Sequence, residues 1–185
     1  AGRRVIMSWP EYNAAVSVSV IPCCADMNHF TLTSDEDRMK GRQILGLPEK
    51  GLVVSYLGSV GAWYMLDEML ELYVYIKKIH TDAKFLFITP SSPSLILEKL
   101  NKYGVAPADV VIREANRQEV PVFTKASDIN ISFIKPVFSK LASSPTKLGE
   151  VLAMGIPVIA NSGAGDVEEI INETGGGTVI PGFEK

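Results

Sequence analysis

Short β-type runs and helix-patterned segments alternate along this chain, and that alternation limits its fold more than any other feature. Leu52–Leu57, Phe85–Ile88, Val110–Arg113, Ile129–Phe133, Val158–Ala160 and Thr178–Ile180 read as strands. Between them the spacing predicts helices over Trp63–Ile79, Leu95–Tyr103, Glu119–Ala126, Thr146–Met154 and Asp166–Asn172. Met65, Leu66, Met69, Leu72, Tyr73 and Ile76 give the longest of these one apolar face. Ser34 is placed to cap a helix over Asp35–Leu45, and Asp35 and Glu36 suit its positive end. Gly104 stops one helix, Pro145 opens another and Gly155 ends it. A further strand is expected at Val16–Pro22, leading into a loop. Several strand segments are continuously apolar, which fits strands covered by helices on both faces. Repeated strand–helix units imply parallel strands joined by right-handed crossovers. The expected fold is a doubly wound α/β domain with a parallel sheet.

A chain of 185 residues suffices for one such domain with a substantial core. Its 46% hydrophobic and 21% charged residues are a globular composition and exclude disorder as the dominant state. A net charge of −3 argues against a broad nucleic-acid-binding surface, which needs clustered Lys and Arg. No apolar run reaches membrane-spanning length. Cys23 and Cys24 are adjacent, where pairing is strained, and read as two reduced thiols of a cytoplasmic protein. Neither they nor His29 and His80 have metal-ligand spacing, so no metal is expected. Ala1-Gly2-Arg3-Arg4 has neither an initiator Met nor a signal-peptide core, and Gly182-Phe183-Glu184-Lys185 has no closing helix. The expectation is an excised domain, with residues 1–15 a remnant or linker and residues 16–185 the domain proper, cut at its C-terminal end.

Ligands of doubly wound sheets bind beyond the carboxyl ends of the strands, which singles out three loops. Gly58-Ser59-Val60-Gly61 lies between a strand and the longest helix, where glycines allow close backbone approach and a helix start suits phosphate. A plain tight turn explains the same residues, and the pattern is neither a Walker loop nor the dinucleotide fingerprint. Ser143-Ser144-Pro145-Thr146-Lys147-Leu148-Gly149-Glu150 puts outward-facing amides, a cation and a carboxylate near one helix start. Lys147 suits phosphate charge and Glu150 suits two ribose hydroxyls; a surface Lys–Glu pair is the plainer reading. Asn161-Ser162-Gly163-Ala164-Gly165-Asp166 is read first as packing, with Asp166 as an N-cap.

From Pro145-Thr146-Lys147-Leu148-Gly149-Glu150 to Gly155-Ile156-Pro157-Val158-Ile159-Ala160, the chain resembles the donor-site signature of family 4 (group 1) glycosyltransferases. The likeness extends back through Ser127-Asp128-Ile129 and forward through Gly165-Asp166-Val167-Glu168-Glu169-Ile170. Upstream, Val20-Ile21-Pro22-Cys23-Cys24-Ala25-Asp26 resembles the crossing between that family's domains, and Tyr56-Leu57-Gly58-Ser59 its next landmark. The resemblance implies the C-terminal, Rossmann-like donor domain of a two-domain GT-B enzyme. It implies that Glu150, the second glutamate of an E-x7-E motif, holds the donor ribose. Lys147, with the amides around Thr146 and Leu148, would face the diphosphate. Gly58, Ser59, Val60 and Gly61 would lie beside the phosphates or the sugar, and Arg113 near the base. The first glutamate of the motif falls at Ala142, so the contact to the transferred sugar is missing or supplied by Ser143 or Ser144. The basic pair expected after the first glycine loop is replaced by Ala62-Trp63-Tyr64-Met65.

The implied activity is retaining, hexosyl-type transfer from a nucleoside-diphosphate sugar in cell-surface polysaccharide biosynthesis, with no cofactor and no metal. The acceptor, a glycan or lipid-linked sugar, would belong to the N-terminal domain that this chain lacks, so the isolated chain is expected to transfer nothing. Peripheral membrane contact by the full-length protein is compatible with these features. A nucleotide-sugar epimerase of the same architecture and a non-catalytic nucleotide-sugar-binding relative are the competing readings.

Overall fold

The computed structural model describes residues 2–183. Helix α1 (Gly2–Met7) buries none of its residues, whereas α2 (Asp35–Leu45) begins with a full capping box. Ser34 Oγ accepts from the Asp37 amide, and the Asp37 carboxylate accepts from the Ser34 amide in return. The bond from the Ser34 amide, and behind it one from Lys125, hold the Asp37 carboxyl below the usual carboxylate range. The expected alternation then follows: β1 (Val53–Leu57), α3 (Leu66–Ile79), β2 (Lys84–Ile88), α4 (Pro93–Tyr103), β3 (Val110–Arg113), α5 (Glu119–Thr124), β4 (Ile129–Ser132), α6 (Thr146–Ala153), β5 (Val158–Asn161), α7 (Val167–Thr174) and β6 (Gly177–Ile180). The strands form one six-stranded sheet in the order β3-β2-β1-β4-β5-β6, with every pairing parallel. That is the doubly wound order whose direction reverses between β1 and β4.

Burial follows position in the sheet. Val53 to Tyr56 of β1 and Phe85 to Ile88 of β2 are buried, while the edge strands β3 and β6 contain no buried residue. One face packs Val54, Tyr56, Phe85, Phe87, Ile131 and Phe133 against α3 and α4 through Met69, Leu70, Tyr73, Ile96 and Leu100. The other carries two clusters, one under α6 and α7 and one under α2 and α5.

Two expectations fail on long-range grounds. Val16–Pro22 is no strand; it joins no sheet edge, and Val20 and Ile21 are 66% and 87% exposed. The segment after it runs beside α6 instead, where the Cys23 amide donates to Ser144 Oγ at 3.2 Å. The longest helix starts at Leu66 rather than Trp63 because Tyr64 forms an antiparallel bridge with Ile134. The Lys135 amide donates to the Trp63 carbonyl at 2.9 Å, and the Met65 amide to that of Phe133 at 3.3 Å. The loops after β1 and β4 are thereby zipped together at the switch point.

Candidate active site

A cavity of about 320 Å³ opens at that switch point, between the zipped loops and the start of α6. Pro145 stands at the N-cap of α6 and offers no side-chain cap, so the amides of Thr146 and Lys147 have no intrahelical acceptor. Thr146 is exposed, whereas Leu148 turns inward and anchors the helix in the core. The uncapped helix start presents partial positive charge to the cavity.

Lys147 reaches over the Tyr64 ring, with Nζ 5.9 Å from the centroid. Among the described residues the amine makes no hydrogen bond or ion pair. Burial holds its pKa below the ordinary lysine value, and the Glu150 carboxylate opposes that shift. Glu150 lies one turn on, with its side chain 12% exposed and 4.0 Å from the Arg117 guanidinium.

Gly58 meets this group from the other loop. Its φ is +146°, and a Cβ there would lie 2.7 Å from Lys147 Nζ and 3.1 Å from Tyr56 Oη. Only glycine brings the first loop this close to the amine. Gly58→Ala is expected to destabilise the fold by about 1–3 kcal/mol and to push Lys147 aside. Thermal unfolding and pyrophosphate titration of the variant would register both effects.

The rest of that loop is already engaged. The Gly58 amide donates to the Ile88 carbonyl at 2.9 Å, and the Val60 amide to Ser91 Oγ at 2.8 Å. Tyr56 Oη donates to the Ser59 carbonyl at 2.6 Å. Burial, with Tyr64 nearby, pushes the Tyr56 pKa far up, so this hydroxyl keeps its proton. Val60 and Gly61 line a neighbouring cavity of about 410 Å³, beyond Tyr64. Of the two glycines in this loop, Gly58 is the one where an added Cβ would meet the Lys147 amine; at Gly61 it would meet open space.

Arg113 is not brought to the cavity. It ends β3, two strands from β1, exposed and donating to its neighbour's carbonyl at 3.3 Å. The arginine that approaches Glu150 is Arg117, placed by the loop after β3; its carbonyl meets His29 Nε2 at 2.9 Å. Nothing local in the sequence separated the two arginines.

Ser143 and Ser144 line the cavity but are partly committed. The Ser144 hydroxyl accepts from Cys23, and the Ser143 carbonyl accepts from the Asp166 amide at 3.3 Å. The third glycine loop closes against the second here: a Cβ on Gly165, at φ +54°, would fall 1.5 Å from the Ser143 oxygen. Asp166 holds the N-cap position of α7, yet its side chain makes no capping bond, and its Oδ1 is buried without a partner among the described residues. Ala142 is exposed and puts no polar group at the site.

Sequence reading missed Asn130 and left Asn161 as the first residue of the third loop, with no role of its own. Asn161, at the end of β5, accepts from the Ile134 amide at 2.8 Å and donates to the carbonyls of Ile134 and Ser162 at 2.9 Å each, which fixes the loop after β4. Asn130 lies in the cavity floor, 3% exposed, and donates to Ser55 Oγ at 3.0 Å. Among the described residues no group of three or more His, Cys, Asp or Glu could hold a metal ion, and no helix is long and apolar enough to cross a membrane.

No family model matches the chain, and neither does any curated protein sequence. Solved structures do. WaaG, a glycosyltransferase involved in lipopolysaccharide biosynthesis, is similar over 90% of this chain and 44% of its own, with a TM-score of 0.74 and 18% identity. The C-terminal domain of the group 1 glycosyltransferase LpcC from Francisella tularensis is similar over 84% of this chain and 79% of that one, with a TM-score of 0.64 and 21% identity. This is the fold of one glycosyltransferase domain. The Anabaena protein HepE, solved with UDP-glucose, shares it over 85% of this chain and 42% of its own, with a TM-score of 0.67 and 16% identity. The chain thus spans less than half the length of WaaG and of HepE. The Rossmann-like sheet matches one domain of the two-domain GT-B arrangement.

Proposed function

We propose that this chain is the donor-binding half of a family 4 (group 1) glycosyltransferase, and that it holds a nucleoside-diphosphate sugar at the start of α6. One observation carries the reading. An unpaired lysine and an uncapped helix start converge on one cavity at the switch point of a glycosyltransferase-type sheet, and a mostly buried carboxylate stands one turn along the same helix. The diphosphate lies against the Thr146 and Lys147 amides and Lys147 Nζ, and Glu150 accepts from the ribose hydroxyls once Arg117 yields.

Transfer breaks the bond between the anomeric carbon and the diphosphate oxygen, leaving both bonding electrons on that oxygen. The growing charge meets fixed amides and a desolvated ammonium, which stabilise it without reorganisation. The acceptor, a glycan or lipid-linked sugar, is held by an N-terminal domain, so the chain alone binds nucleotide and transfers nothing. Retention of anomeric configuration, hexosyl transfer and a place in cell-surface polysaccharide synthesis at the cytoplasmic side complete the reading.

Calorimetry with uridine and guanosine diphosphates and with pyrophosphate tests it. Glu150→Ala is expected to weaken the preferred nucleotide roughly tenfold or more and to leave pyrophosphate nearly unchanged. Equal losses for both ligands would remove the ribose role. Failure of the wild-type chain to bind either nucleotide would turn the reading into that of a non-catalytic relative that binds a different ligand or partner.

A further inference from the structure

The floor of the cavity is polar where a doubly covered parallel sheet is ordinarily apolar. Side chains alternate along β4: Ile129, Ile131 and Phe133 pack into the core on the α3 side, and Asn130 and Ser132 face the other way. Both line the cavity. Asn130 is only 3% exposed, and one atom of its amide is tied to Ser55 Oγ. The other amide atom has no partner among the described residues, and neither has the Ser132 hydroxyl. Asn161, one strand away, shows what a structural asparagine does in this sheet: its amide makes three hydrogen bonds to backbone. Asn130 makes one and leaves the rest of its capacity in the cavity.

We infer that Asn130 and Ser132 form the subsite for the transferred sugar, accepting from and donating to its hydroxyls and so setting which sugar the donor carries. This rests on the donor-binding reading above. The chemistry divides the cavity by charge. Lys147 and the helix amides suit the diphosphate, whereas the floor offers an amide and a hydroxyl, uncharged groups that suit an uncharged polyol. Residues two apart on a strand stand about 6–7 Å apart, a spacing that reaches two hydroxyls of one ring. The usual carboxylate contact is absent at Ala142, and of the two serines beside it the Ser144 hydroxyl already accepts from the Cys23 amide. The floor therefore adds two neutral polar side chains to a rim that has lost its carboxylate.

The test is a ratio. The chain is titrated with UDP, UDP-glucose, UDP-galactose, UDP-N-acetylglucosamine, GDP and GDP-mannose, and each sugar nucleotide is compared with its parent diphosphate. The wild-type chain is expected to prefer one sugar nucleotide over its parent. Ser132→Ala and Asn130→Leu should each cut that preference roughly tenfold, the size of one lost hydrogen bond in a closed site, while the parent diphosphate stays within about twofold. An unchanged preference in both variants, or a parallel loss for the parent diphosphate, overturns the assignment. So does the lack of any preference in the wild-type chain. Ser132→Ala, which removes one partly buried hydroxyl, decides the matter alone if circular dichroism shows that Asn130→Leu does not fold. Absence of all nucleotide binding is a different result, because it removes the donor-binding reading itself.

Discussion

Asp128→Ala is expected to destabilise the domain by about 3–5 kcal/mol, a large share of the 5–15 kcal/mol that holds a typical domain folded. Asp128 stands just before β4, at the amino ends of the central strands, opposite the cavity. Its Oδ2 accepts from Arg42 Nη2 and from the Val53 amide, each at 2.7 Å, and its Oδ1 from Arg38 at 2.9 Å. The Arg42 side chain is 4% exposed. Its remaining acceptors are the carbonyls of Ala126, Glu49, Gly51 and Pro48, at 3.1, 2.8, 3.2 and 3.5 Å. Without Asp128 a buried guanidinium keeps its desolvation cost and loses its counter-charge, and the first amide of β1 loses its acceptor. Denaturant unfolding would read the loss. Asp128→Asn keeps one acceptor oxygen and should fall between wild type and alanine, and nucleotide affinity of the folded fraction should not change in either variant. A loss below about 1 kcal/mol would mean that water reaches Arg42 and screens it.

That cluster also shows where sequence reading stops. Ser127-Asp128-Ile129 is visible as a strand entry, but its partner Arg42 is a polar letter in an amphipathic helix 86 residues away. The order of elements was legible because each strand and helix follows from a local period. Strand order is not local, and it decides the fate of the two arginines. Arg113 ends a strand, as a ligand-facing residue should, yet β3 is the sheet edge and the cavity belongs to β1 and β4. Val16–Pro22 has strand composition and no neighbour to pair with, so composition alone misled. The start of α3 moved because Tyr64 pairs with Ile134, a contact across 70 residues. Gly58 and Lys147 were each visible as site residues, but not that the glycine's missing side chain is what lets the amine approach. Asn130 and Ser132 did leave a signal: two polar residues at alternate positions in a strand otherwise read as buried on both faces.

Lys147→Met is expected to weaken nucleoside diphosphates and pyrophosphate alike by roughly 10- to 100-fold, the loss of a charge-assisted contact. The same substitution should stabilise the empty protein. Burial depresses the Lys147 pKa below its unfolded value, with Glu150 only partly offsetting it, so the folded state binds this proton less tightly than the unfolded one. Below the folded pKa the charged amine opposes folding in full. Stability rises with pH between the folded and unfolded pKa values, because there the unfolded chain holds more protons. At neutral pH the lysine is therefore a destabilising residue, and an unbranched apolar side chain of similar length relieves the penalty. A rise in melting temperature, together with collapsed diphosphate affinity, would mark Lys147 as retained for its charge. The pH dependence of binding has the opposite sign to that of stability: wild-type diphosphate affinity should fall as the amine deprotonates on the alkaline side, and Lys147→Met should flatten that limb. A methionine variant that lost stability and kept its affinity would place the diphosphate elsewhere.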